Sequence, residues 1–334
     1  MKKFINDVDD MLVESLSGFA AAHEDIVQLH LEPNFLTRAD KASNKVAIIS
    51  GGGSGHEPLH SGFIGYGMLD AACPGYVFTS PSPDQMLAAA EAVDSGKGVL
   101  FIVKNYAGDV MNFEMAAEMA TCENATVLTN DDVAVINSTF TTGRRGVAGT
   151  VIVEKIVGSL AETGADLAAC KAIGDKVNSH CASIGVALTS CTVPANGRPT
   201  FDIGDTELEM GVGIHGEPGR RREPMRAADS IVADMVKAIL DDFDARDMKL
   251  AKGSEVLLFV NGFGATPLME LYLIYNTASR LLAEKGITIG RSLVGNYITA
   301  LDMAGASITA CLLDDKIKQH WDSPVHAAAL RWGR

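Results

Sequence analysis

Three times along this chain a run of β-forming residues of strand length ends abruptly in glycine and a side chain able to do chemistry. Lys45-Val46-Ala47-Ile48-Ile49-Ser50 passes into Gly51-Gly52-Gly53-Ser54-Gly55-His56-Glu57-Pro58. Val99-Leu100-Phe101-Ile102-Val103 ends in Lys104-Asn105-Tyr106-Ala107-Gly108-Asp109. Residues 207–213 alternate with period two and run into Ile214-His215-Gly216-Glu217-Pro218-Gly219. Helical patterns fall between the runs. One begins at Ser82, with Pro83 at the first helical position and Asp84 in the first turn, and continues to residue 93. Others cover 110–120, two segments from 147 to about 180 broken at Thr163-Gly164, 227–240, and a helix opening at Thr266-Pro267. Residues 7–30 read as an amphipathic opening helix through Met11, Leu12, Leu16, Phe19 and Ala20. Further strands are predicted at 125–129, 183–189, 255–260, 286–291 and 307–313.

Strands alternating with helices at this spacing predict an α/β fold. A length of 334 residues divided by ~150 per domain gives about two domains. The expected division is 1–185, carrying the first two glycine loops, and 186–334, carrying the His215 loop, with 191–198 as a boundary or hinge. Each domain is expected to hold a mixed or mostly parallel sheet flanked by helices. In open α/β sheets ligands bind where strands end, so the site is expected at strand-end loops between the domains.

Composition narrows the function. The net charge of −14 argues against a nucleic-acid binder, whose affinity rests on Lys and Arg neutralising phosphates. No apolar run approaches the roughly 18 residues of a membrane span. The N-terminus meets acid at Asp7, Asp9 and Asp10 before any apolar signal segment, so a cytoplasmic location is expected. Six scattered cysteines without a C-x-x-C read as reduced, buried thiols.

Each candidate residue has two readings at this level. Four glycines and a serine before His56 suit a cradle for a polar ligand, with His56 as acid/base or hydrogen-bond donor, or a tight turn in which His56 caps something. After the glycines comes His-Glu, not the Lys-Ser/Thr of a nucleotide loop. Asp109 is either a helix N-cap or a carboxylate able to take a proton from a substrate hydroxyl. Lys104 is either a surface lysine or a cation meeting a ligand oxygen. His215, on a turn crowded by Gly213, Gly216 and Gly219, is either a nucleophile or a hydrogen-bonded loop histidine. His56-Glu57-Pro58-Leu59-His60 imitates H-E-x-x-H, but Pro58 between the histidines speaks against a zinc helix, and no metal site is expected.

The three loops, together with Gly143-Arg144-Arg145-Gly146, Asn261-Gly262-Phe263-Gly264-Ala265-Thr266-Pro267 and Ser292-Leu293-Val294-Gly295-Asn296-Tyr297, occur in an order that resembles the substrate-binding K subunits of dihydroxyacetone kinases. The resemblance runs over essentially the whole chain. It implies a phosphotransferase subunit that holds dihydroxyacetone as a hemiaminal on His215. It further implies Asp109 as the base for the hydroxyl being phosphorylated and His56 as a substrate hydrogen-bonding and acid/base residue. Gly53, Ser54, Gly55 and Lys104 match substrate-contacting positions. The resemblance implies no cofactor on this chain: ADP or ATP with Mg sits on a separate L subunit, with phosphotransferase recharging expected over direct use of ATP. The chain ends just past Trp332-Gly333, so no nucleotide-binding second half is expected, and a homodimer is. Two alternatives share the resemblance: a ligand sensor that acts on a transcription factor, and a kinase subunit for a related short ketose such as erythrulose.

Overall fold

The computed structural model describes residues 2–135, 141, 143–248 and 250–333. Helix α1 (Met11–Ala22) is followed by strands β1 (Val27–Leu31), β2 (Asn34–Arg38), β3 (Ala47–Ser54), β4 (Gly65–Tyr66) and β5 (Ala71–Val77). Then come α2 (Pro83–Val93), β6 (Val99–Lys104), α3 (Ala107–Met119), β7 (Asn124–Thr129), α4 (Gly149–Glu162) and α5 (Leu167–Ser179). The second half contains β8 (Cys181–Ala187), β9 (Glu207–Met210), β10 (Arg221–Pro224), α6 (Ala228–Ala245) and β11 (Glu255–Gly262). It closes with α7 (Leu268–Glu284), β12 (Thr288–Gly295), β13 (Gly305–Leu312), α8 (Asp315–Asp322), β14 (Val325–Ala327) and β15 (Arg331–Trp332). The α/β class and the flanking helices are as the sequence predicts.

The first sheet runs β1-β2-β5-β3-β6-β7, and β3 pairs parallel with both β5 and β6. The second runs β10-β9-β8-β13-β11-β12, and only β11 with β12 is parallel. Antiparallel neighbours can be joined by a short turn, whereas parallel ones need a crossover. The loop carrying His215 is such a short connection, closing the antiparallel β9–β10 pair. The predicted opening helix stops at Ala22, because Val27, Leu29 and Leu31 follow period two and pair antiparallel with β2 across a Glu32-Pro33 turn.

The line drawn at residue 185 falls inside β8, and the whole of β8 pairs with β13 in the second sheet. At the other end of the chain β14 returns to pair with β4 of the first half. Between the sheets lies α4, packed on β3, β6, β7 and β8, with every residue from Gly149 to Ala161 buried. A helix that is apolar nearly all round belongs in such a place. Two charges, Glu154 and Lys155, interrupt its apolar run and go inside with it. One continuous core joins Ile48 and Leu100 of the first sheet to Leu257 and Phe259 of the second through Val151, Ile152 and Ile156. No helix among the described residues is long and apolar enough to cross a membrane. All six cysteines are free thiols, five of them buried.

Candidate functional site

The glycine run after the first predicted strand is not a loop. Gly51, Gly52 and Gly53 continue β3 and pair with Cys73, Pro74 and Gly75 of β5, so the turn comes only at Gly55. The glycines serve close approach here. A β-carbon on Gly52 would overlap Lys104 Nζ and lie 3.5 Å from Asp109 Oδ2. Lys104, at the end of the adjacent β6, is 1% exposed, which excludes the surface-lysine reading. Its ammonium lies 3.3 Å from Gly51 O, 3.0 Å from His60 Nε2 and 3.5 Å from Asp109 Oδ2.

Asp109 is the third residue of α3, whose N-cap is Tyr106, so it does not cap that helix. Its buried carboxylate faces the Lys104 ammonium. Ser54 donates its hydroxyl to Gly75 O at 2.7 Å, and the Gly55 N–H is held by the Glu57 carboxylate at 3.0 and 3.1 Å. At those positions the polar hydrogens are already committed within the protein.

One residue further on, His56 is 1% exposed. Its Nδ1 lies 2.7 Å from Thr299 O, and a carbonyl oxygen only accepts, so Nδ1 carries the proton. That leaves Nε2 as an acceptor, and among the described residues it has no hydrogen-bond partner. Burial, then the neighbouring His215 and Lys104, hold the imidazole well below its ordinary value of 6.5, against the Thr299 bond, so the ring is neutral. An unpartnered buried polar atom costs about 1–3 kcal/mol, a cost that persists where function uses the atom. The ring stacks on Phe78 at 4.9 Å and meets the edge of His215 at 4.8 Å between centroids. Phe78 itself sits at φ +55°, a strained conformation for a bulky residue, and packs 5.2 Å from His215.

His215 therefore stands in an aromatic box, with the ring of Tyr106, the N-cap residue of α3, 4.6 Å away. Its Nδ1 is 3.7 Å from Glu217 Oε1, and its backbone N–H donates to Glu217 Oε2 at 2.8 Å. The carboxylate fills the turn so tightly that a β-carbon on Gly213 would overlap it. Behind it lies Arg145, 0% exposed, which bonds Asp132 and Gly211 O and comes within 3.8 Å of Glu217.

Burial would raise the Glu217 carboxyl, but His215 and Arg145 override it and hold it at about 2, below the ordinary 4.5. A carboxyl held low when folded stabilises the protein fully above pH 4.5 and loses that contribution as pH falls toward 2. Glu217→Gln is expected to remove on the order of 3 kcal/mol of this pH-dependent stability. Melting temperatures measured down the acid range check it: the parent should fall more steeply than the variant, and parallel curves would contradict the assignment.

The structure thus brings His56 and His215 together and sets Lys104 against Asp109 across the same stretch of β3. Sequence reasoning gave no role to Phe78, Tyr106, Arg145, Glu217 or Thr299. Tyr106, Arg145 and Glu217 lay inside the quoted motifs, and a charge fixed within a glycine-rich turn was the signal that could have found the last two. Among the described residues no group of three or more His, Cys, Asp or Glu side chains could hold a metal ion.

Comparison with known proteins adds identity to this geometry. The Dak1 domain matches residues 17–329. The chain is 48% identical to the dihydroxyacetone-binding subunit of the PEP-dependent dihydroxyacetone kinase of Escherichia coli (strain K12), over the full length of both. Among solved structures it superposes on a dihydroxyacetone kinase operon co-activator with TM-score 0.88 and 34% identity, covering 95% of this chain and 97% of that one. It also superposes on the dihydroxyacetone kinase of C. freundii in complex with AMP-PNP and Mg2+, with TM-score 0.87 and 34% identity, covering 99% of this chain but 61% of that one.

Proposed function

The chain belongs to the Dak1 domain family, and from that premise we propose that it binds dihydroxyacetone covalently and presents it for phosphorylation by a nucleotide on a separate subunit. The observation that carries this reading is His56 Nε2, a buried neutral acceptor without a partner, set against the one imidazole of the site that is part-exposed.

The Glu217 carboxylate, 3.7 Å from Nδ1, favours the His215 tautomer with its proton on that side, which leaves the Nε2 lone pair free to attack. Nε2 adds to the ketone carbon, a C–N bond replaces the C=O π-bond, and the oxygen takes a proton from solvent. The alkylated ring keeps its Nδ1 proton and a positive charge, which the Glu217 carboxylate offsets. His56 Nε2 accepts a hydrogen bond from a substrate hydroxyl. Asp109 accepts the proton of the terminal hydroxyl as its oxygen attacks the transferring phosphoryl group, and the bond from phosphorus to the nucleoside diphosphate, which stays on the partner, breaks. Glycerol has similar size and polarity but no electrophilic carbon, so the covalent step discriminates where hydrogen bonds alone do so poorly.

Support for a split kinase comes from a relative whose name makes it one part of a kinase, the part that binds dihydroxyacetone. The chain spans the whole of a relative named as a dihydroxyacetone-binding subunit, and about three fifths of a kinase seen with AMP-PNP and Mg2+. Nucleotide and magnesium are accordingly assigned to the partner, and the name of the E. coli relative supports a donor recharged through a phosphotransferase chain.

A second reading, a ligand sensor, is favoured by the likeness to an operon co-activator. Sensing needs the trap but has no use for a base, and the buried Asp109–Lys104 pair beside the trap supports catalysis. One experiment separates the two. Mixed with dihydroxyacetone and ATP alone the chain should form no dihydroxyacetone phosphate, and adding the nucleotide-carrying subunit should start turnover. Turnover without that subunit would overturn the split, and none with it would leave the sensor.

A further inference from the structure

His60 and Glu154 stand outside the machinery described above, yet both are buried against it. His60 Nδ1 lies 2.5 Å from Glu154 Oε1, and its Nε2 lies 3.0 Å from Lys104 Nζ. The chain of contacts therefore runs Glu154–His60–Lys104–Asp109, from the helix between the sheets to the proposed base.

We propose that the His60–Glu154 pair is a positioning device, in which Glu154 fixes the tautomer of His60 so that its Nε2 accepts from Lys104 and aims that ammonium at the Asp109 carboxylate. It rests on Asp109 being the base of the transfer. An ammonium has only donors, so the nitrogen facing it must be the unprotonated one. The proton is then on Nδ1, where Glu154 Oε1 accepts it in either of its own protonation states. Burial, then Lys104 and the nearby His56, hold the His60 ring well below 6.5, which keeps it neutral. Burial pushes the Glu154 carboxyl up to about 8 in spite of the pull of Lys104. Without this pair the Lys104 ammonium would keep its longer contacts, 3.3 Å to Gly51 O and 3.5 Å to Asp109, and lose the shortest of the three, 3.0 Å to His60. A base displaced by about 1 Å can lose 100-fold in rate.

The test compares His60→Gln, whose side-chain oxygen reaches the position of Nε2, with His60→Asn, whose amide falls short of it. In turnover reconstituted with the nucleotide-carrying subunit, the Gln variant should keep most of the parent kcat and the Asn variant lose roughly a hundredfold. KM, melting temperature and binding of dihydroxyacetone at His215 should be alike in both. Equal kcat in the two, or a loss confined to KM or to melting temperature, would overturn the proposal. A second measurement needs no variant: 15N spectra of histidine-labelled protein should find His60 neutral and protonated on Nδ1. A ring protonated on Nε2, or on both nitrogens, would also overturn it. Failure of the underlying reading would look different, as normal turnover of Asp109→Asn in the same assay.

Discussion

Replacing His215 with alanine is expected to abolish selective binding of dihydroxyacetone over glycerol and to lower turnover by at least about a thousandfold. The reason lies in what the imidazole does that hydrogen bonds cannot. In the proposed function a bond to the ketone carbon would turn a small, featureless, well-hydrated molecule into part of the protein and would hold its terminal hydroxyl at one distance from Asp109. Effective molarities for such fixed geometries reach about 10⁵ M and beyond, so losing the bond is worth more than losing any single hydrogen bond. The aromatic walls, Phe78 and Tyr106, would remain, and so would the acceptor on His56. The variant should therefore still fold and bind three-carbon polyols weakly and without preference. Isothermal titration with both ligands, beside reconstituted turnover, reads the two effects; retained preference for the ketone would contradict the trap.

The second large effect is expected from Asp109→Asn. On the proposed function binding should persist here, because Asp109 would meet a terminal hydroxyl and not the carbon held by His215, while turnover falls by about 10²- to 10⁴-fold. Asparagine keeps the shape and a hydrogen-bond acceptor beside Lys104 but cannot take a proton. The split between retained binding and lost rate is the signature of a general base, and it differs from the pattern for His215, where binding and rate fall together. Titration with dihydroxyacetone and a turnover assay with the nucleotide-carrying subunit provide the comparison. Loss of binding together with rate would assign Asp109 to holding the substrate.

Where these side chains lie was legible in the sequence, because strand ends are where ligand-facing residues gather in α/β folds. Lys104, Asp109, His56 and His215 all follow strand-length runs, and the structure sets them around the end of β3 and the β9–β10 turn. The class of the fold followed from the alternation of periods. What sequence misjudged was geometry that depends on partners far along the chain. Gly51 to Gly53 read as a loop because glycine usually breaks strands, yet they extend β3, since the Lys104 side chain needs the space a β-carbon would fill. The pattern at 27–31 belonged to a hairpin and was absorbed into the opening helix. Antiparallel pairing in the second sheet left no signal in the order of elements. Glu154 was hidden for another reason: a charged residue in an apolar helix, here with Lys155 next to it, looks solvent-facing until the helix proves to be buried on every side. Thr299, which orients His56, lies 243 residues from it and could be found only in three dimensions.

The central claim is a bond between one nitrogen of His215 and the middle carbon of the substrate, and that bond can be observed directly. Protein labelled with 15N-histidine, mixed with dihydroxyacetone carrying 13C at the ketone carbon, should give a tetrahedral carbon signal split by one-bond coupling to 15N, and His215→Ala should not. A bound ketone that keeps its carbonyl shift, or a tetrahedral carbon without that coupling, would contradict the account.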